Sequence, residues 1–203
     1  MLTATNINFS YANTNEPILT NVSLSVEDGK RLALVGDSGC GKSTLAKILS
    51  GYLKPNSGEV LYRGAPLPSS GYNPVQMISQ HPELAVNPRW KMSRVLNECW
   101  EPDEELRRAM GIEDAWLSRW PSELSGGELQ RFCIARVLSS ETKFLICDEI
   151  STMLDMITQA QIWQILLDIS SKNGLGMIVV THNMELAARV CDEVIYLPEI
   201  NSR

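Results

Sequence analysis

The chain has 203 residues, enough for one substantial core and at most a small second lobe. Its 44% hydrophobic and 21% charged content is ordinary for a soluble globular protein, and a net charge of −6 argues against a general nucleic-acid surface. No apolar run reaches membrane-spanning length, and residues 1–6 lack a basic-then-apolar signal, so the chain is expected in the cytoplasm, reaching a membrane only through a partner.

Taken in order, residues 5–11 and 21–26 alternate as antiparallel strands do, with a polar loop at 13–17 between them. Tyr11 ends the first strand and could stack on an adenine ring, although a Tyr in that position more often packs. Asp28-Gly29 turns the chain into an apolar strand, Arg31-Leu32-Ala33-Leu34-Val35. Next comes Gly36-Asp37-Ser38-Gly39-Cys40-Gly41-Lys42-Ser43-Thr44, which fits G-x-x-x-x-G-K-[ST] and runs into a helix at 45–49. Glycines let the backbone curl so that successive N–H groups face inward, and the helix adds its positive end. Lys42 can then reach the outer phosphates of a nucleoside triphosphate, and the Ser43 hydroxyl can sit on Mg²⁺.

A turn at 54–58 leads to a strand at 59–64, a Pro/Ser/Gly connection at 65–73, and a strand at 75–79 that ends at Gln80. From 81 to about 123 strand signals vanish, and helices are expected at 93–100, 103–110 and 113–120. This stretch reads as a helical subdomain inserted into a core made of 1–80 and 124–203, all within one domain. Four of the five tryptophans fall here. Trp116 and Trp120, at i and i+4, are expected on one helix face, either packing the lobe or offering a docking surface.

Leu124-Ser125-Gly126-Gly127-Glu128 opens a further helix, 129–138, as a second anion-ready helix start. An apolar strand at 143–147 runs into Asp148 and Glu149. A loop at 150–155 and a helix at 158–172 precede a buried strand, 177–181, that delivers His182. A helix at 184–191 and a strand at 193–197 close the chain. Strands alternating with helices imply a largely parallel sheet whose active residues gather at the carboxyl ends of its strands. Gln80, Asp148, Glu149 and His182 all hold that position, as the glycine-rich loop does. Asp148 suits Mg²⁺, which prefers hard oxygen ligands and keeps several waters. Glu149 suits a base that polarises the attacking water, with His182 orienting it and Gln80 touching metal or water. The five cysteines, Cys40, Cys99, Cys133, Cys147 and Cys191, show no metal-site or paired spacing and read as reduced thiols.

With these motifs in this order, the chain resembles the nucleotide-binding subunit of an ATP-binding cassette (ABC) transporter from about Leu2 to Leu197. The resemblance implies a P-loop α/β fold: a RecA-like, mostly parallel core, an antiparallel N-terminal β subdomain and an inserted helical subdomain. It implies ATP and Mg²⁺, with Tyr11 on the adenine and Glu149, His182 and Gln80 as catalytic residues. Ser43, Gln80 and Asp148 would serve the metal. Two cassettes would stack head to tail, so that Ser125, Gly126, Gly127 and Glu128 close over the other subunit's ATP, with Asp155 of Ser151-Thr152-Met153-Leu154-Asp155 at the seam. Transmembrane permease subunits, an extracytoplasmic solute-binding protein and a location on the cytoplasmic membrane face are implied too.

Asn87-Pro88-Arg89 after Gln80, and the wording Asp148-Glu149-Ile150-Ser151, are similar to the dipeptide, oligopeptide and nickel importer branch. The chain departs from the family at His81, Glu128 and Asn183, where Asp, Gln and Asp are commoner. It is also trimmed around Gln80 and ends without that branch's C-terminal extension. The leading expectation is an ATPase powering import of peptides, nickel or metal chelates. The alternative is a cassette in a soluble complex, for instance in phosphonate metabolism.

Overall fold

A computed structural model describes all residues except 13–15, 153 and 203, so part of the expected polar loop and Met153 lie outside the described residues. Strands β1 (Leu2–Phe9) and β2 (Leu19–Val26) pair antiparallel. Their buried positions switch phase partway: Leu2 and Ala4, then Ile7 and Phe9. Leu19 is likewise followed by Val22, Leu24 and Val26. A one-residue slip would turn every later side chain to the solvent face unless a bulge absorbs it. Asn6 (φ 52°) and Asn21 (φ 54°) sit at these phase changes in the left-handed region, which Asn tolerates better than most side chains. The next strand of this sheet must cross the bulge closely. At Gly58 an added Cβ would stand 2.4 Å from the Asn6 carbonyl oxygen, so only glycine passes.

Between these strands and that crossing come β3 (Arg31–Val35) and helix α1 (Lys42–Leu49). Strands β4 (Ser57–Tyr62) and the two-residue β5 (Ala65–Pro66) then complete a four-stranded sheet in the order β2-β1-β4-β5. Strand β6 (Val75–Ile78) leads into the lobe, where α2 (Met92–Leu96) and α3 (Glu104–Ala109) are shorter than expected.

The third expected lobe helix, over 113–120, is absent among the described residues; only a 3₁₀ turn at Asp114–Trp116 forms. Pro121 pushes Trp120 into extended backbone (φ −89°, ψ 157°), and the Glu123 carboxylate takes the Trp120 N–H at 2.6 Å. Trp116 and Trp120 therefore do not share a helix face. Trp116 is 8% exposed and packs in the core, while Trp120 stands 39% exposed with Lys91 Nζ 4.1 Å over its ring.

The rest of the chain is α4 (Gly126–Ala135), β7 (Phe144–Asp148), α5 (Met156–Asn173), β8 (Gly176–Val180), α6 (Met184–Val190), β9 (Glu193–Tyr196) and α7 (Leu197–Ile200). A second sheet runs β6-β7-β8-β3-β9, every pair parallel. Strands β7 and β8 are buried at every position, as expected of strands covered on both faces. Leu145, Cys147, Met177 and Val179 join one apolar cluster with α4, α5 and lobe residues such as Met92 and Met110. Their alternates Phe144, Ile146, Ile178 and Val180 join another with α1 and the antiparallel sheet. Two cores thus clamp one sheet, and its carboxyl edge is left to carry loops.

Candidate functional site

Four neighbouring strands of the parallel sheet end at the same edge, and each hands over expected site residues or a loop. Strand β6 leads to Gln80, β7 ends in Asp148 and runs on to Glu149, β8 leads to His182, and β3 feeds the glycine-rich loop. The loop closes on α1 through Gly41 (φ 107°), where an added Cβ would lie 3.0 Å from Leu19 Cδ2 and 3.3 Å from the Ile18 carbonyl oxygen. Here too only glycine fits. A cleft of about 630 Å³ results, lined by Tyr11, Ile18, Ser38, Gly39, Gly41, Lys42, Ser43, Thr44, Gln80, Glu149 and His182.

Lys42 is 7% exposed, and its ammonium donates to the carbonyls of Gly36 and Asp37, both at 2.8 Å. A buried ammonium must have acceptors, and the loop's own carbonyls supply them here. Cys40 Sγ lies 4.0 Å from the same nitrogen. Ser43 Oγ donates to Asp148 Oδ1 at 3.1 Å. Burial pushes the Asp148 carboxyl above its ordinary pKa, while the Ser43 hydrogen bond opposes the shift. A hydroxyl and a carboxylate at hydrogen-bond distance form a hard-oxygen pair that fits Mg²⁺, a cation usually held by one or two protein oxygens, substrate phosphates and water. Among the described residues there is no cluster of three His, Cys, Asp or Glu that would make an all-protein cage.

Glu149 is held from both sides. Gln80 Nε2 donates to its Oε2 at 3.2 Å, and His182 Nδ1 lies 3.1 Å from its Oε1. Its backbone N–H donates to Val180 O at 3.1 Å, and its φ of 50° is unusual for a Glu. Such backbone persists only where surrounding bonds over-determine it. Tyr11 lies at the mouth of the cleft, its hydroxyl 3.2 Å from Thr44 Oγ1 and its ring edge-on to Phe9.

Ser125, Gly126, Gly127 and Glu128 lie elsewhere. Ser125 caps α4, its Oγ accepting the Glu128 N–H at 3.3 Å, while Glu128 Oε2 accepts the Ser125 N–H at 2.6 Å. This reciprocal box gives Glu128 a local role that the neutral Gln could also fill, through a bond without the charge assistance of the carboxylate. Asp155 caps α5, accepting from Ile157 N and Thr158 N at 3.0 Å, and hydrogen bonding from the Thr158 side chain first, then from these backbone N–H groups, holds its carboxyl below the ordinary pKa. All five residues line a second cleft of about 620 Å³ that, among the described residues, shares no lining residue with the first.

The expected residues thus form two groups within this chain. Sequence reasoning missed Ile18 in the first cleft. It missed Gln130, 2% exposed, whose Nε2 reaches Ser79 O at 3.4 Å beside Gln80. It also missed Tyr196, whose hydroxyl donates to Asp37 Oδ2 at 3.1 Å. Only Tyr196 had a signal to follow, since it too ends a strand.

Comparison with known proteins places this geometry in a family. A family model described as "ABC transporter" matches residues 19–152. The nickel import ATP-binding protein NikE of Shigella dysenteriae serotype 1 is 36% identical over 208 residues, covering 93% of this chain and 78% of the relative. NikE of Escherichia coli K12 is 35% identical over the same shares. A dimeric ATP-binding cassette in a post-hydrolysis state, bound to ADP and phosphate, superimposes with a TM-score of 0.82 at 25% identity, over 97% of this chain and 94% of that one. CbiO1 from Clostridium perfringens, part of the transporter complex CbiONQ, gives 0.76 at 26% identity, over 96% and 83%.

Proposed function

The chain belongs to the ABC transporter family, and from that premise we propose that it is the ATP-hydrolysing cassette of an importer for nickel or a related small solute. The observation that carries this reading is the clasp on Glu149, with Lys42, Ser43 and Asp148 in reach of the same cleft.

In this reading Lys42 exchanges the carbonyls of Gly36 and Asp37 for the outer phosphates, trading neutral acceptors for anionic ones. Ser43 and Asp148 hold Mg²⁺, which when bound would neutralise charge on the phosphates. Glu149 accepts the proton of the attacking water. His182 fixes the direction of one carboxylate oxygen, and Gln80 that of the other. Tyr11 and Ile18 form the platform for the base. The second cleft, with Ser125, Gly126 and Gly127 on a helix start, receives the nucleotide held by another cassette; the two clefts share no lining residue among the described ones, which fits a site completed between two chains. Hydrolysis is therefore a property of two cassettes working with permease subunits, and a solute-binding protein on the far side completes the importer. In this reading the subunit docks on the cytoplasmic face through those permeases, as an import ATP-binding protein similar to the named relatives would; no helix among the described residues is long and apolar enough to cross a membrane.

Nickel is favoured as solute because the named relatives are nickel import ATPases and are similar over 93% of this chain. A cassette in a soluble complex finds no support among these relatives.

The test is the solution mass and ATPase rate of Glu149→Gln protein with Mg-ATP. A dimer that hydrolyses very slowly supports the reading, whereas wild-type turnover removes Glu149 as the base. Loss of labelled nickel uptake on deleting the gene would support the solute, and undiminished uptake would exclude it.

A further inference from the structure

The C-terminal segment runs back across the nucleotide cleft's two walls. Tyr196 ends β9, and its hydroxyl donates to Asp37 Oδ2 at 3.1 Å. Pro198 Cδ lies 3.1 Å from where a Cβ on Gly36 would stand. Asn201 then ties to the strand wall: its Nδ2 donates to Ile18 O at 3.0 Å and its Oδ1 accepts from Thr20 N at 2.8 Å. Leu197 is fully buried in the core beneath.

Asp37 is split between two directions. Its main-chain carbonyl faces inward and accepts from Lys42 Nζ at 2.8 Å, while its carboxylate points to Tyr196. Among the described residues the cleft is lined by Ser38, Gly39, Gly41, Lys42, Ser43 and Thr44, but not by Asp37. A carboxylate at the second position of a loop that must hold several phosphate charges would compete with them for the Lys42 ammonium if it rotated inward.

We propose that Tyr196 is a positioning residue that keeps the Asp37 carboxylate outside the phosphate cradle, and that the segment 196–201 is the strap that makes this placement permanent. Tyr196 acts through Asp37 and does not touch the nucleotide. A phenol is a donor at neutral pH in any case, and hydrogen bonding to Asp37 raises its pKa further. The proposal rests on the reading of the first cleft as an ATP site, and the control for that reading is ATP binding by the unaltered chain.

The experiment is calorimetric titration of Mg-ATP into the full chain as wild type, Tyr196→Phe, Asp37→Asn and the double variant, at low and high salt. Tyr196→Phe should weaken binding roughly three- to tenfold at low salt, the penalty shrinking at high salt as screening predicts. Asp37→Asn should bind at least as tightly as wild type, and the double variant should bind like Asp37→Asn, since no charge remains to be held aside. Wild-type affinity in Tyr196→Phe would overturn the proposal. So would a double variant as weak as Tyr196→Phe, because a purely structural tether would not be rescued by neutralising its partner. If Tyr196→Phe does not fold, Asp37→Asn decides alone: equal or tighter binding supports the proposal, and weaker binding overturns it. Failure of the wild type to bind ATP would instead sink the nucleotide reading.

Discussion

Ser43 Oγ donates to Asp148 Oδ1 at 3.1 Å, joining the start of α1 to the end of β7 across 105 positions of sequence. Asp148 is only 6% exposed, and burial raises its pKa. A carboxyl whose folded pKa lies above its unfolded value binds more protons in the folded state between those two values. Its contribution to stability is therefore present below the unfolded pKa and lost as pH rises through the folded one. At neutral pH the ionised Asp148 is a stability cost, one that the proposed Mg²⁺ role would account for. Asp148→Asn should raise the melting temperature of the nucleotide-free chain at pH 7 while lowering Mg-ATP hydrolysis by roughly two to three orders of magnitude. Thermal unfolding beside a phosphate-release assay checks both, and a melting temperature that falls would contradict the sign.

Gly126 opens α4 with nothing within 4 Å of where a Cβ would stand, whereas at Gly127 a Cβ would meet Leu154 Cδ2 at 3.2 Å. The fold itself does not require glycine at 126. Gly126→Ala should melt within a few degrees of wild type yet lose ATP-driven pairing of the Glu149→Gln background, because the methyl group would occupy space that the proposed pairing gives to the second nucleotide. Light scattering with and without Mg-ATP reads the outcome. Normal pairing would place the closing surface elsewhere.

The cysteines should divide by burial. Cys133 and Cys191 are pushed up to about 11 and about 12 by desolvation, and fully buried Cys147 is pushed higher still. Thiolate is the reactive form, so these three should resist alkylation at pH 8 in the folded chain. Cys99 is exposed, although desolvation raises its thiol too, and Cys40 is half-buried in the loop, less enclosed than Cys147 in the core. Peptide mapping after iodoacetamide treatment should find adducts at those two, with Mg-ATP protecting Cys40 alone. ATP binding that survives complete modification of Cys40 would show that the loop has room its geometry does not suggest.

Trp116 and Trp120 offer a check on the lobe. Trp116→Ala should cost about 3–5 kcal/mol, as large buried aromatics do, while Trp120→Ala should cost under about 1 kcal/mol. Denaturant titration of the two variants separates them. Equal losses would restore the shared helix face that the periodicity suggested.

Those two residues show where sequence reading stops. Spacing at i and i+4 is necessary for a shared helix face, but Pro121 decides the backbone at Trp120, and its effect won over the apolar pattern. The bulges at Asn6 and Asn21 were likewise invisible as such. The alternation looked regular, and only pairing against neighbouring strands shows which residue slips out of phase. The placement of Gln80, Asp148, Glu149 and His182 was legible because a parallel sheet puts the carboxyl ends of its strands at one edge, so strand ends predict convergence without any coordinates.

Sequence alone determined the chemistry available: a lysine and a serine behind a glycine-rich loop, hard oxygens at a strand end, and a second glycine pair at a helix start. These are local, because motif spacing and helix or strand period act over a few residues. Tertiary structure decided the company each residue keeps. It set Gln80 and His182 on opposite oxygens of Glu149, separated Ser125 and Gly127 from the loop that holds Lys42, and brought Tyr196 onto Asp37 from 159 positions away. Such pairings depend on strand order and on which face of a sheet is covered, quantities that emerge only when the whole core is packed.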